Sequence, residues 1–124
     1  MAKIVIAEDE TDVREMIAFM LRFAGYEVFE ADNGQTACEL SKTKQPDLIL
    51  LDVRMPVMTG YDACRIIKND PELSKIPVAF VSAKGLENEI AMGYASGADD
   101  YIVKPFTIDQ LLNRVNAILN KKSG

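Results

Sequence analysis

The sequence predicts an α/β domain: one parallel sheet of five strands with helices on both faces. Five short strand-like runs, four of them apolar and one weakly alternating, take turns with five segments whose apolar residues recur at helical spacing. The connections are short, and alternation of this kind implies a parallel sheet sandwiched by helices. The central run, Leu48-Ile49-Leu50-Leu51, has no polar interruption, as a strand buried on both faces requires.

Ile4-Val5-Ile6-Ala7 forms the first strand and ends on Glu8-Asp9. Residues 11–24 carry Val13, Ile17, Met20, Leu21 and Ala24 at helical spacing, with Gly25 as the stop. Residues 27–31 read as a second strand, Asp32-Asn33-Gly34 as a turn, and 35–43 as a short helix that Gln45-Pro46 ends. The third strand, 47–52, ends on Asp52, before a loop bounded by Pro56 and Gly60. Thr59 and Asp62 have capping-box spacing, which starts a helix near Gly60 that runs to about Asn69. Val78-Ala79-Phe80-Val81 is the fourth strand and leads to Ser82; a helix over about 86–95 follows and stops at Gly97. Tyr101-Ile102-Val103 is the fifth strand, ending on Lys104-Pro105. The last helix has Thr107 and Gln110 as a capping box and Phe106 with Leu111 as a hydrophobic staple.

The 124 residues suit a single domain spanning 1–124. A net charge of −5 argues against gripping a nucleic-acid backbone. The chain has no histidine, which removes histidine-activated nucleophiles, histidine metal ligands and any phosphohistidine role. Cys38 and Cys64 form no CxxC and read as small core residues. No apolar run is long enough for a membrane span, and Met1-Ala2-Lys3 has no signal-peptide layout, so a cytoplasmic, membrane-free protein is expected.

In a parallel sheet the C-terminal strand ends share one edge, where ligands of open α/β sheets bind. That edge collects Glu8 and Asp9, Asp52, Ser82 and Lys104. On its own stretch Asp52 serves equally well as a plain turn cap. Taken together, three carboxylates would repel and raise one another's pKa. A hard divalent cation resolves the repulsion: Mg²⁺ takes oxygen ligands, keeps waters and completes its shell with phosphate oxygens. A lysine and a hydroxyl suit the remaining phosphoryl oxygens. The edge therefore reads as a place to hold a phosphoryl group near a carboxylate nucleophile.

With these residues placed, the chain resembles the receiver domain of bacterial two-component response regulators over nearly its whole length. The resemblance rests on Glu8-Asp9, on Leu50-Leu51-Asp52-x-x-Met55-Pro56 with Gly60, on Ser82-Ala83, and on Gly97-Ala98-Asp99-Asp100-Tyr101 running into Lys104-Pro105-Phe106. It implies a flavodoxin-like five-stranded parallel sheet of order 2-1-3-4-5 with five helices on both faces. It implies a phosphorylation-dependent signalling switch rather than an enzyme with an external substrate. Asp52 would be the phosphoacceptor, charged by a sensor histidine kinase or phosphotransfer protein. Asp9, Asp52 and the Arg54 main-chain carbonyl would hold Mg²⁺, with Glu8 assisting. Lys104 and Ser82 would meet the phosphoryl oxygens, and Tyr101 would switch position; a core or edge tyrosine without that role is the plain alternative. The Lys104–Pro105 peptide is expected cis.

Two basic residues near the site, Arg54 and Lys84, occupy positions expected to tune how fast the acyl phosphate is lost; two solvated cations are the plain alternative. The output face is expected on the fourth helix, fifth strand and fifth helix, serving a downstream protein, an output domain or a phosphorylation-dependent dimer. On the fourth helix the spacing puts Ala91, Tyr94 and Ala98 inward, with Ile90 near the edge and Met92 off the stripe. Ile90 and Met92 would then add apolar contact area. With no output segment after residue 124, the reading expects either a docking protein or a piece of a longer regulator. A Mg²⁺-dependent aspartyl phosphatase would want a second acid where Arg54 stands, and arginine is no general acid. An FMN-binding protein would want a Ser/Thr/Gly loop in place of Glu8-Asp9, and a degenerate receiver would lack part of the residue set.

Overall fold

The computed structural model describes residues 2–83 and 85–123. Ten elements alternate: β1 (Lys3–Ala7), α1 (Thr11–Phe23), β2 (Glu27–Ala31), α2 (Gly34–Lys44), β3 (Leu48–Leu51), α3 (Gly60–Asn69), β4 (Val78–Ser82), α4 (Glu87–Ala95), β5 (Asp100–Val103) and α5 (Ile108–Ser123). All four strand pairs are parallel, and the order is β2-β1-β3-β4-β5, as expected.

Side chains alternate across the sheet with period two. Val5, Ala7, Ile49, Leu51, Val78 and Phe80 point to one face, where Ala37 of α2 and Ala63, Cys64 and Ile67 of α3 cover them. Ile4, Ile6, Leu48, Leu50, Ala79 and Val81 point to the other, under Ile17, Ala18 and Leu21 of α1 and Leu111 and Val115 of α5. Both faces are thus filled, which is why the central strands tolerate no polar residue.

The helix ends are set locally. The Asn33 side chain accepts from the Thr36 N–H at the start of α2, and Thr59 accepts from the Asp62 N–H at the start of α3. The capping box of α5 is reciprocal: the Gln110 N–H donates to Thr107 Oγ1, and the Thr107 N–H donates to Gln110 Oε1. Gly25 and Gly97 sit at φ 97° and 107°, where a Cβ would be strained, and each terminates the helix before it. Cys38 is half-buried, Cys64 is buried, and both are free thiols. Among the described residues no helix is long and apolar enough to cross a membrane.

One expectation about α4 needs correction. Ala91 and Tyr94 do not face the core; Gly93 does, beside a half-buried Ile90. A Cβ on Gly93 would lie 2.8 Å from the Tyr101 ring and 3.1 Å from that of Phe80. The helix therefore seats its side-chain-free position on two aromatic rings, and Ala91 and Tyr94 turn outward. Ala98 packs partly against the core, and Met92 is exposed, as expected.

Candidate functional site

The sheet register brings the acids together. Ala7 is opposite Leu51, so Glu8 and Asp52, each one residue past its strand, stand side by side. The Asp52 N–H donates to the Ala7 carbonyl at 2.9 Å, continuing the ladder one step beyond β3. Its carboxylate Oδ1 accepts from the Val53 N–H at 2.8 Å, which orients it at the edge of the sheet. Ligand oxygens of Glu8, Asp9 and Asp52 all lie within 4.8 Å of one another.

Lys104 reaches this group from β5. Its N–H donates to the Ser82 carbonyl at 2.8 Å, and the Lys104–Pro105 peptide is cis. Its ammonium pairs with Glu8 Oε1 at 2.5 Å; Glu8 Oε2 accepts from the Glu10 N–H at 3.2 Å. The four side chains thus carry three potential negative charges against one positive. Burial pushes Glu8 up, but the Lys104 hydrogen bond and the Glu10 N–H outweigh it and hold its carboxyl below the usual range. At Asp52 the balance goes the other way. Its burial drives its pKa up to about 7, with Lys104 opposing and the Glu8 charge adding to the rise. Asp9 is also raised, by desolvation and by the neighbouring Glu8 carboxylate.

The group opens into a cleft of about 320 Å³ lined by Asp9, Glu10, Asp52, Arg54, Ser82, Ala83 and Lys104. Three clustered carboxylates, held by ladder bonds and carrying more negative charge than one lysine offsets, fit a hard divalent cation bound through oxygen. Ser82 is buried at the cleft wall, with its side chain beside the Tyr101 hydroxyl. Burial raises the Tyr101 pKa, and the Ser82 contact pulls against that rise. Tyr101 itself is buried, tilted against Phe80 at 5.7 Å between ring centroids. Phe80 in turn meets Tyr61 at 5.4 Å, whose hydroxyl donates to the Glu89 carbonyl on α4.

The structure therefore brings Glu8, Asp9, Asp52, Ser82, Arg54 and Lys104 to one cleft, with Tyr101 directly behind Ser82. Lys84 lies outside the described residues. Sequence reasoning did not single out Glu10, whose N–H and position both serve the cleft, or Arg14, whose guanidinium Nη1 donates to the Glu8 carbonyl at 2.9 Å. An arginine on the first turns of an exposed helix carries no signal that separates it from a solvated one. Gly60 belongs to the quoted motif, and the structure supplies its reason: a Cβ there would come within 2.1 Å of the Asp52 carbonyl oxygen. The start of α3 can lie against the end of β3 only without a side chain.

Residues 4–116 match the family model of the response regulator receiver domain. The chain is 43% identical over 118 residues to the phosphate regulon transcriptional regulatory protein PhoB of Pseudomonas aeruginosa, an alignment that covers 95% of this chain and 52% of that protein. It is 36% identical over 121 residues to the DNA-binding dual master transcriptional regulator RpaA of Synechocystis, covering 98% and 50%. The chain thus spans about half the length of the curated relatives it matches. Among solved structures, the receiver domain of the sensor histidine kinase PA1611 of Pseudomonas aeruginosa superposes with a TM-score of 0.90 at 28% identity, over 96% of this chain and 98% of that one. That domain holds a magnesium ion in its active-site cleft. The chemotaxis response regulator CheY4 of Vibrio cholerae superposes with a TM-score of 0.90 at 30% identity, over 95% and 98%.

Proposed function

Since the chain belongs to the response regulator receiver domain family, signalling switches of two-component systems that sensor kinases phosphorylate on an aspartate, we propose that Asp52 is its phosphoacceptor. One observation carries this reading: Asp52 stands in the cleft with two further carboxylates within 4.8 Å, under the only lysine that lines it among the described residues. We read residues 1–124 as one receiver unit, since its strands form a single sheet.

In the proposed reaction an oxygen of ionised Asp52 attacks the phosphorus of a phosphohistidine in line with the leaving nitrogen. The P–N bond breaks, a P–O bond forms, and the departing imidazole takes a proton from solvent. The protein's contribution is positioning and charge. Asp9, Asp52 and the Arg54 carbonyl would hold Mg²⁺ with Glu8 assisting, and the ion would neutralise charge on the transferring group. Lys104 can exchange its Glu8 contact for a phosphoryl oxygen, and Ser82 can donate its hydroxyl to another. Either movement alters the wall against which Tyr101 packs, and the α4–β5–α5 face follows as a population shift. That face already exposes Leu86, Met92, Tyr94 and Val103 to a downstream protein, an output domain or a second copy. The upstream partner is a sensor histidine kinase or a phosphotransfer protein, and the reading carries a cytoplasmic location with it. It involves neither direct nucleic-acid binding nor membrane binding by this domain, and no external substrate beyond the phosphodonor.

Incubation with Mg²⁺ and acetyl phosphate, followed by intact mass measurement, tests the acceptor. One added phosphoryl group on the parent and none on Asp52→Asn is the expected result; equal labelling of both would place the acceptor elsewhere. Arg54, exposed at the cleft rim, is proposed to obstruct attacking water, as Lys84 is. The labelled Arg54→Ala protein should then lose its phosphoryl group several-fold faster than the parent after the donor is removed. A decay no faster than the parent's would remove Arg54 from that role.

A further inference from the structure

We propose that Arg14 is a positioning residue for the acidic cluster, acting through the main chain of Glu8. The inference rests on the metal-binding reading of that cluster and adds a residue to its support.

Ala7 on β1 is opposite Ala31 on β2, so the next step of the ladder pairs Glu8 with Asp32. The Glu8 N–H makes its half of that step, donating to the Ala31 carbonyl at 3.0 Å. In a parallel ladder the Glu8 carbonyl would then accept from the N–H one residue past its partner, at Asn33. The chain has left the sheet there: Asn33 is the N-cap of α2. The carbonyl at the joint between Glu8 and Asp9 therefore loses its ladder donor, and Arg14 supplies one. Its Nη1 donates to that oxygen at 2.9 Å, and its Nε lies 3.3 Å from Glu30 Oε1 on β2. The side chain is only 16% exposed. Arg22 holds the other oxygen of Glu30 at 3.1 Å and donates to the Val28 carbonyl at 2.9 Å. Glu30 is thus held by two arginines, and it gives Arg14 a second partner on β2 beside the Glu8 carbonyl.

The peptide so held joins Glu8 to Asp9. Its orientation decides where Asp9 points relative to Asp52, because Asp9 is exposed and follows the backbone that presents it. Groups that orient metal ligands from outside commonly change metal affinity tenfold or more when removed. Arg14 stands in that relation to Glu8 and Asp9.

The test compares the parent with Arg14→Met, which keeps most of the apolar stem, and Glu30→Gln, which breaks the ion pair but leaves the guanidinium able to reach the carbonyl. Mg²⁺ alone is titrated into each ¹⁵N-labelled protein and followed by amide shifts of residues 8–10 and 52–54. Acetyl phosphate labelling is then measured at saturating Mg²⁺. Arg14→Met should weaken Mg²⁺ about tenfold, with labelling at saturation within about twofold of the parent; Glu30→Gln should stay within about twofold in both. Unchanged Mg²⁺ affinity in Arg14→Met overturns the proposal. So does an equal loss in Glu30→Gln, which would assign the effect to the α1–β2 tie. If the parent itself shows no Mg²⁺-dependent shifts, the metal reading of the cluster fails, and that outcome is separate from a failure of Arg14.

Discussion

Val57 sits at φ 70° in the loop between β3 and α3, with its side chain 80% exposed. The Met58 N–H donates to the Pro56 carbonyl at 2.7 Å, closing a three-residue turn around it. A γ-turn of this hand is rare and strained, and a β-branched residue is poorly suited to it. A residue held in such a sparsely populated region costs about 1–3 kcal/mol, and a glycine, with no Cβ, takes a positive φ without that penalty. Val57→Gly should therefore raise stability by about 1 kcal/mol, read as a higher urea midpoint with an unchanged m-value. No change would mean that the loop relaxes around Val57 without cost. Nothing in the sequence marks this position, because its strain comes from a backbone angle that the flanking Pro56 and Gly60 do not specify. The acids, Ser82 and Lys104 were legible for the opposite reason: each follows a strand-like run directly, and parallel topology puts all such positions on one edge.

At the scale of elements, β5 is tied to α5 by Asp100 and Arg114. Arg114 Nε donates to Asp100 Oδ2 at 2.9 Å, its Nη2 also contacts that carboxylate, and the Tyr101 N–H donates to Oδ1 at 2.8 Å. Burial raises the Asp100 pKa, but the Arg114 and Tyr101 hydrogen bonds outweigh it and leave the carboxyl below its ordinary value. A carboxylate lowered on folding adds stability above its unfolded pKa, and the contribution disappears as pH falls through the folded value. Arg114 is half exposed, so solvent screening limits the pair to about 1 kcal/mol. Asp100→Asn should melt a few degrees below the parent at pH 7, with the gap closing as pH falls from the ordinary carboxyl range, about 4, through the lower folded value. A gap that does not narrow as the parent is acidified would assign the loss to packing instead of charge. The α4 face shows where element-level reading stops. Glycine contributes nothing to an apolar stripe, so Gly93, the residue that meets Tyr101 and Phe80, was invisible to periodicity, and Ala91 and Tyr94 stood out in its place.

For the molecule as a whole, the site trades stability for function. Asp52 is ionised only against burial and against Glu8, so its charge opposes folding when no cation shares the cleft. A ligand bound only by the folded state stabilises it by about 2.7 kcal/mol at a hundred times its dissociation constant. In EDTA, Asp52→Asn should melt above the parent; with saturating Mg²⁺ the parent should gain several degrees and the variant much less, so the gap narrows or reverses. Equal gains in both proteins would show that Mg²⁺ binds away from Asp52.

The pair that closes the cleft spans nearly the whole chain: Lys104 meets Glu8 across 96 residues. During synthesis the ribosome therefore delivers Asp52 and both neighbouring acids long before their counter-charge. A nascent or truncated chain that stops short of β5 holds Asp52 without the ammonium beside it. On the proposed reading of Asp52 and Lys104, competence to receive a phosphoryl group would arrive only with the last strand of the sheet.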